Sequence, residues 1–291
     1  MRVTEGLKYL TVSRQLGALQ RRHAEAARRA SSGQAISAPS DDPITAAEQA
    51  RLRAAQSRTN DQRTTIGRVL GDAELAESML GQAGDLLARA KEIALQGANG
   101  TLNDRDRELL AVEVSSLREE MVRIGNTRGS RGSLFAGSKL DGPAFDVNGA
   151  FLGDDIAHQV DLGGSAPTSV SSSGARAFTA AGGQDVFAAL ADLEAALQAG
   201  DSSAVSASLG GLDAAHRQLV DARGGAGLVI DRLQLSDRTL EQLELDQEKR
   251  RSQISDADPF EAYSALAQLG SALERSIAVA RRLLETPPAQ F

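Results

Sequence analysis

The sequence lacks cysteine and tryptophan, and aromatic residues make up only 3% of its 291 positions. Without cysteine the chain has no disulfide, no thiolate nucleophile and no cysteine-ligated zinc. Few large rings and abundant alanine favour thin helical layers over a globular centre filled with bulky side chains. We therefore expect an elongated, mainly helical protein.

Long apolar runs are also absent. No stretch reaches the roughly 18 consecutive apolar residues that indicate a membrane-spanning helix. No short apolar segment follows the N-terminus, as one does in a secretory signal peptide. We therefore expect no membrane insertion and no cleaved signal peptide. The net charge of −7 argues against nucleic-acid binding, because neutralising phosphates requires a basic face. The three histidines lie far apart in sequence, so we expect no metal, no cofactor and no catalytic group.

Positive charge concentrates at the start of the chain. Residues 1–31 carry seven Arg or Lys against two Glu. A basic amphipathic segment can lie on a membrane surface or serve as a transit peptide, but this one continues into a capped helical pattern without a cleavage site. We therefore expect it to face the acidic surface of a partner protein.

Apolar residues recur three and four positions apart near both ends of the chain, which is typical of helices with one apolar face. A lone pair of such helices has too little core to be stable by itself, so we expect neighbouring copies to cover these faces. The alternative is an ordinary intramolecular bundle. The predicted assembly interface consists of Tyr9, Val12, Leu16, Leu19, Leu266, Leu269, Leu273, Ile277 and Leu284.

The interior of the chain shows the same period. Asp42 is a good N-cap before Pro43, and the pattern that starts there continues to about residue 98, or roughly 80 Å of helix at 1.5 Å per residue. For its apolar positions between residues 66 and 94 we expect intramolecular packing. Further helices are predicted over about 110–124, and from Asp185, after Ser202 and from Asp258.

Glycine interrupts the helical period in the middle of the chain. Phe145–Val147 and Ala150–Leu152 flank the pair Asn148-Gly149, which predicts a β-hairpin with a two-residue turn. Further short strands are predicted near residues 157–162 and 168–170. These elements indicate a small β-rich module.

The predicted fold class is mainly α. We expect a long antiparallel helical rod formed by the N- and C-terminal halves, with a small β-rich inserted domain at the far end. Helices of matched length outside two Ser/Asp/Pro breaks suggest this arrangement. The expected parts are paired terminal helices over 1–31 and 259–291, connecting segments over 32–43 and 252–258, the rod over 44–134 and 184–251, and the outer domain over 135–183.

The segment Ser31–Pro43, reading SSGQAISAPSDDP, resembles the joint between the terminal and rod domains of the flagellin superfamily. Its PSDDP ending is similar to the hook-associated protein 3 family, whereas flagellins usually carry Ala in place of Pro43. The family-signature joints are Pro39, Ser40, Asp41, Asp42, Pro43, Asp256 and Asp258. Further similarities follow in the same order along the chain, at Asn99–Leu102, Gly125–Thr127, Leu134–Gly137, Gly227, Asp231–Leu233 and Ser255–Asp258.

The resemblance implies a structural subunit of the bacterial flagellum with no enzymatic activity. It implies an extracellular location at the hook-filament junction, and export through the flagellar type III apparatus with a dedicated export chaperone. The implied partners are further copies in a helical ring, a neighbouring hook-associated protein and flagellin. A flagellin-type filament subunit is the alternative.

A third hypothesis, from a different functional class, is that the chain is a coiled-coil enzyme or signalling scaffold that binds a ligand at Arg223–Gly227. This segment lacks the Gly-Lys-Ser/Thr ending of a phosphate loop and follows a helix, so a bend within a helix is favoured.

Overall fold

The computed structural model describes residues 2–36, 38–40, 42–99, 102–160, 168–170 and 173–285, and side chains within these ranges except those of 2–9, 168 and 283–285. The described part forms α1 (Arg2–Ser32), α2 (Pro43–Gly97), α3 (Asp104–Gly125), α4 (Gly174–Phe178), α5 (Val186–Gln198), α6 (Ser202–Ser255) and α7 (Pro259–Glu285). Its strands are β1 (Arg128–Gly129), β2 (Gly132–Ser133), β3 (Gln159–Val160) and β4 (Thr168–Ser169). The expectation of a mainly helical chain is confirmed, and the β content is small.

The chain divides into two compact units. The terminal unit comprises Met1–Thr59 and Gln242–Phe291, and the central unit comprises Asn60–Glu241. Within the terminal unit α1 packs against α7, and within the central unit α2 packs against α6. The pairing of N- and C-terminal helices that the sequence predicts is therefore present in each unit.

The α2 positions predicted to pack within the molecule are all buried. Their side chains are at most 6% exposed, and they pack against α3, α5 and α6 of the central unit. These residues are Ile66, Val69, Ala73, Ala76, Leu80, Ala83, Leu87, Ala90 and Ala94. An intramolecular bundle is confirmed for this stretch.

A side-chain oxygen caps the start of most of the long helices. Such an oxygen accepts a backbone N–H that has no partner within the helix. Asp42 Oδ1, for example, accepts the N–H groups of Ile44 and Thr45, both at 3.1 Å. The caps of α2, α3, α5, α6 and α7 are Asp42, Asn103, Asp185, Asp201 and Asp258.

The predicted end of α6 is wrong. We expected a break over residues 252–258, but the helix continues to Ser255 because the N–H of Asp256 still donates to the carbonyl of Ser252 at 2.9 Å. The connection to α7 is therefore only Asp256–Asp258. The segment Arg223–Gly227 also lies inside α6, where Arg223 Nε contacts Glu77 Oε1 at 2.5 Å.

The hairpin predicted around Asn148-Gly149 forms with a different register. Phe145 pairs with Phe151 in an antiparallel bridge, and the N–H of Asp146 donates to the carbonyl of Ala150 at 2.9 Å. The loop therefore has three residues, 147–149, and the predicted two-residue turn is wrong. The cause is Asp146, whose Oδ1 accepts the N–H groups of Asn148 and Ala150 at 2.8 and 2.7 Å.

Two other antiparallel strand pairs accompany this loop. The pair β3–β4 confirms the strands predicted near residues 157–162 and 168–170, although residues 161 and 162 lie outside the described part. The pair β1–β2 was not predicted. It is attached to α2 by the Asp72 carboxylate, which accepts Ser130 N–H at 2.7 Å and Arg131 Nε–H at 3.3 Å.

A cluster of phenylalanines fills the centre of residues 135–183 and joins this segment to the helices. The Phe145 ring lies 5.5 Å from that of Phe178 and 5.0 Å from that of Phe187 in α5. Phe135 lies 5.3 Å from Phe178. These four rings belong to the same apolar cluster as α2, α3 and α6, so the segment shares its core with the central unit.

A buried amide holds the chain between α4 and α5. Gln218 of α6 is 9% exposed. Its Nε2 donates to the carbonyls of Ala177, Thr179 and Gln184 at 3.0, 3.2 and 2.9 Å, and its Oε1 accepts Gln184 N–H at 2.8 Å. One side chain thus binds four backbone groups, of which the Thr179 carbonyl also accepts Gly182 N–H at 3.0 Å.

Candidate assembly interface

The predicted assembly interface lies where α1 and α7 pack together. Every predicted residue whose side chain the structure describes is half-buried, namely Val12, Leu16, Leu19, Leu266, Leu269, Leu273 and Ile277. The side chains of Tyr9 and Leu284 lie outside the described residues. Gly270 of α7 faces His23 of α1, and a Cβ at position 270 would lie 3.7 Å from His23 Nε2, an ordinary van der Waals distance.

The terminal unit has almost no buried apolar core. Among its described side chains, Ala26 at 8% exposure is the only apolar one that is buried. In the central unit, by contrast, Leu87, Leu190 and Leu212 are completely buried. Because apolar burial contributes about 25 cal/mol per Å², the half-buried leucines of α1 and α7 realise only part of their stabilisation in a single copy.

The two connecting segments are bonded to each other. Ala35 N–H donates to the Ser255 carbonyl at 2.8 Å, and Ala257 N–H donates to the Gly33 carbonyl at 2.9 Å. Gln34 and Asp256 thereby form an antiparallel bridge, which we call the clasp. The clasp fixes the start of α7 against the end of α1. Sequence reasoning missed it, since backbone pairing of single residues leaves no side-chain pattern.

Gly33 makes this geometry possible. Its φ of +67° lies in the left-handed region, where a side chain is disfavoured, and its N–H donates to the Arg29 carbonyl at 2.9 Å. The helix therefore ends directly before the clasp.

Comparison with known proteins finds similar sequences among flagellar proteins. A model of the bacterial flagellin N-terminal helical region matches residues 5–139. Flagellar hook-associated protein 3 of Escherichia coli K12 is 34% identical over 137 residues, which cover 45% of this chain and 43% of that protein. Polar flagellin A of Vibrio parahaemolyticus is 28% identical over 185 residues, or 63% of this chain and 48% of that protein. The matches thus span less than half the length of either relative.

A solved structure shares the fold. A flagellar hook-associated protein of Vibrio parahaemolyticus superposes with a TM-score of 0.68 at 22% identity, over 74% of this chain and all of the other. Over residues 5–139 the chain is thus similar to the flagellin N-terminal helical region, and its fold is similar to that of a flagellar hook-associated protein.

The residues of the family-signature joints act as helix caps and turns in this structure. Asp42 caps α2, and Pro43 is its first residue. Asp256 accepts the Ser252 hydroxyl at 2.6 Å, and Asp258 caps α7 by accepting Phe260 N–H at 2.8 Å. Pro39 and Ser40 form an exposed turn, and Asp41 lies outside the described residues.

The Asp42 carboxylate is stabilised in its charged form. The Thr45 hydroxyl donates to Asp42 Oδ2 at 2.7 Å, and this bond, followed by that from Thr45 N–H, lowers the pKa of Asp42 below its ordinary value. A charged cap also interacts favourably with the positive end of the α2 dipole. The arrangement explains why Asp followed by Pro suits this joint.

The described residues contain no group of three or more His, Asp or Glu side chains able to hold a metal ion. Among the helices that the structure describes, none is long and apolar enough to cross a membrane. The terminal helices differ from those of the central unit in their incompletely buried apolar surface.

Proposed function

We propose that this chain is an extracellular structural subunit of the bacterial flagellum, an adaptor at the hook-filament junction, and not an enzyme. The observation that supports it is the terminal unit, whose two helices pair with half-buried apolar faces and a single buried apolar side chain, Ala26, among those described. The similarity to hook-associated protein 3 supports the proposed location at the hook-filament junction.

Burial between copies supplies the mechanism. Complete burial of a leucine stabilises by about 1.5–3 kcal/mol, so each of these leucines, with most of its surface already buried, has about 0.5 kcal/mol still to gain when neighbours cover it. Summed over the α1 and α7 faces, this gain makes assembly and completion of the terminal fold one process. Marginal terminal helices also suit export of the chain in an unfolded state.

The proposed partners follow from this placement. Further copies form a helical ring, with a neighbouring hook-associated protein on one side and flagellin on the other. The flagellar type III export apparatus and a dedicated chaperone handle the chain before assembly. The terminal helices over 1–31 and 259–291 serve as the assembly domain, and residues 135–183 serve as the outer part.

A flagellin-type filament subunit is the second candidate. It is favoured by the alignment with polar flagellin A, which extends over 63% of this chain. The higher identity to hook-associated protein 3, 34%, favours the junction adaptor.

Labelled antibodies against the central unit, imaged on isolated hook-filament structures, separate the two. The junction adaptor gives a narrow band where hook and filament meet. Label along the whole filament would establish the filament subunit, and flagella without label would contradict both. Purified chain should accordingly fail to form long filaments by itself.

A further inference from the structure

A small cavity lies where β2 meets α2 in the central unit. Its volume is about 20 Å³, and it is lined by α2, the β1–β2 pair and residues beside the β3–β4 pair. A water molecule needs about 10–15 Å³, so the cavity has room for one water and not for a larger ligand. The polar side chains of the lining are Asp72, Arg131, Ser133 and His158, and Ala73 and Ala76 are among its apolar ones.

Ser133 of β2 brings a buried hydroxyl group to this cavity. The residue is 4% exposed, and its Oγ has no hydrogen-bond partner among the residues that the structure describes. A buried hydroxyl without a partner destabilises the fold, because it has given up its hydrogen bonds to solvent water. Buried polar side chains are for this reason nearly always bonded to protein or to ordered water. A partner inside the cavity would remove the cost at Ser133.

The Asp72 carboxylate, on the α2 side of the cavity, can accept one more hydrogen bond. Asp72 is 7% exposed. A carboxylate has about four acceptor positions. The described contacts of Asp72 fill three of them, with Ser130 N–H at 2.7 Å, the Ser130 hydroxyl at 2.9 Å and Arg131 Nε–H at 3.3 Å. The remaining position is open to a donor that the cavity holds.

Water suits these two groups better than a metal ion or an empty space does. A water molecule accepts the hydroxyl proton of Ser133 and donates one of its own protons to Asp72. A metal ion is disfavoured, because the Arg131 guanidinium already lies 3.3 Å from the carboxylate and hard cations such as Ca²⁺ take about six to eight oxygen ligands. Buried cavities that stay dry are apolar, and this one has two buried polar side chains in its wall.

We propose that one buried water molecule occupies this cavity and bridges the Ser133 hydroxyl group to the Asp72 carboxylate. Asp72 then binds the β1–β2 pair at two levels. It holds the turn directly, through Ser130 and Arg131, and it holds β2 through the water. The site does not depend on the proposed function, and a negative result here leaves that function untouched.

NMR of alanine methyl groups tests the site, because Ala73 and Ala76 line the cavity and are only 6% and 3% exposed. In the full chain labelled at its alanine methyls, at least one of these two groups should show a nuclear Overhauser cross-peak to water. Its sign should be that of a water molecule that tumbles with the protein. The matched control is Ala83, which is 0% exposed and does not line the cavity, and it should show no such cross-peak. Absence of the cross-peak from both cavity methyls, or an equal one from Ala83, would overturn the proposal.

Denaturant unfolding of Ser133→Ala gives opposite results for a bridged and an unpartnered hydroxyl group. If the hydroxyl binds the water, its removal loses a hydrogen bond, and the unfolding equilibrium constant of the central unit should rise about fivefold. If the hydroxyl has no partner, its removal relieves a desolvation cost and the constant falls. A constant that is unchanged or lower would therefore refute the bridge. The control variant is Ser116→Ala on the exposed face of α3, which should not raise the constant, since alanine is the better helix former.

Discussion

Truncating one leucine on each terminal helix separates the stability of a single copy from that of the assembly. Leu16 and Leu273 are half-buried in α1 and α7. Truncation of a buried leucine to alanine costs about 2–5 kcal/mol, so at the partial burial of Leu16 and Leu273 each change should cost about 2 kcal/mol in the isolated terminal unit. The central unit has its own core and should be unaffected.

The cost should increase when the chain assembles. If neighbours cover the part of each side chain that is still exposed, the double variant Leu16→Ala with Leu273→Ala loses about 1 kcal/mol more per subunit. Since 1.4 kcal/mol corresponds to a factor of ten, each subunit should be held about fivefold more weakly. The amount of chain per flagellum, measured by immunoblot against flagellin after washing, should fall accordingly.

The matched control is Leu95→Ala, which truncates a leucine that is 61% exposed on α2 of the central unit. It should change neither unfolding nor the amount of chain in flagella. Unchanged retention of the double variant would refute the reasoning, as would loss of the central unfolding transition.

Three further predictions concern the folded chain. Gln218→Leu should lower the free energy of unfolding of the central unit by about 3 kcal/mol, because buried carbonyls lose their donor; denaturant unfolding that matches the unsubstituted chain would contradict this. The pKa of Asp42 lies below 3.8, so its cap stabilises fully above that pH and is lost as the pH falls through the lowered value. Thr45→Val should raise this pKa toward 3.8 in an NMR titration of the carboxyl carbon, and an unmoved midpoint would exclude the hydroxyl as its main cause. In dilute solution, amides of residues 2–32 and 259–285 should exchange faster than those of α2 between 66 and 94, and equal protection would show that the terminal helices are stable alone.

Helix starts were predictable from the sequence because a single side chain determines each of them. Asp42 before Pro43, Asp185 and Asp258 occupy the cap positions that the sequence predicted. The buried positions of α2 also follow from sequence, since a strict three-four alternation permits only one inward face. Local chemistry and local periodicity were sufficient for both.

Features that depend on tertiary contacts were not predictable in this way. The end of α6 was placed four residues too early, because Ser252–Ser255 has weak helix propensity that the clasp and neighbouring helices override. The hairpin register depended on the Asp146 side chain taking two N–H groups of its own loop. The clasp joins residues 33–35 to residues 255–257, so it forms only when both ends of the chain are packed together.

The candidate interface was predicted only in part. The apolar period located Leu16 and Leu273 on facing helices, but it could not show that they would be half-buried. Phe260 and Tyr263 were not among the predicted interface residues, and the apolar period does not show that they are exposed. Their exposure is visible only once α7 is packed against α1.

The confinement of both tyrosines to the terminal unit provides an intrinsic optical reporter. Both tyrosines, Tyr9 and Tyr263, belong to the terminal helices, and no tryptophan is present to mask their emission. Tyrosine fluorescence and its anisotropy therefore monitor the ends of the chain alone, while the phenylalanine-lined centre contributes almost nothing at the same wavelengths. Ordering of the helix tips can be followed in unlabelled protein in real time.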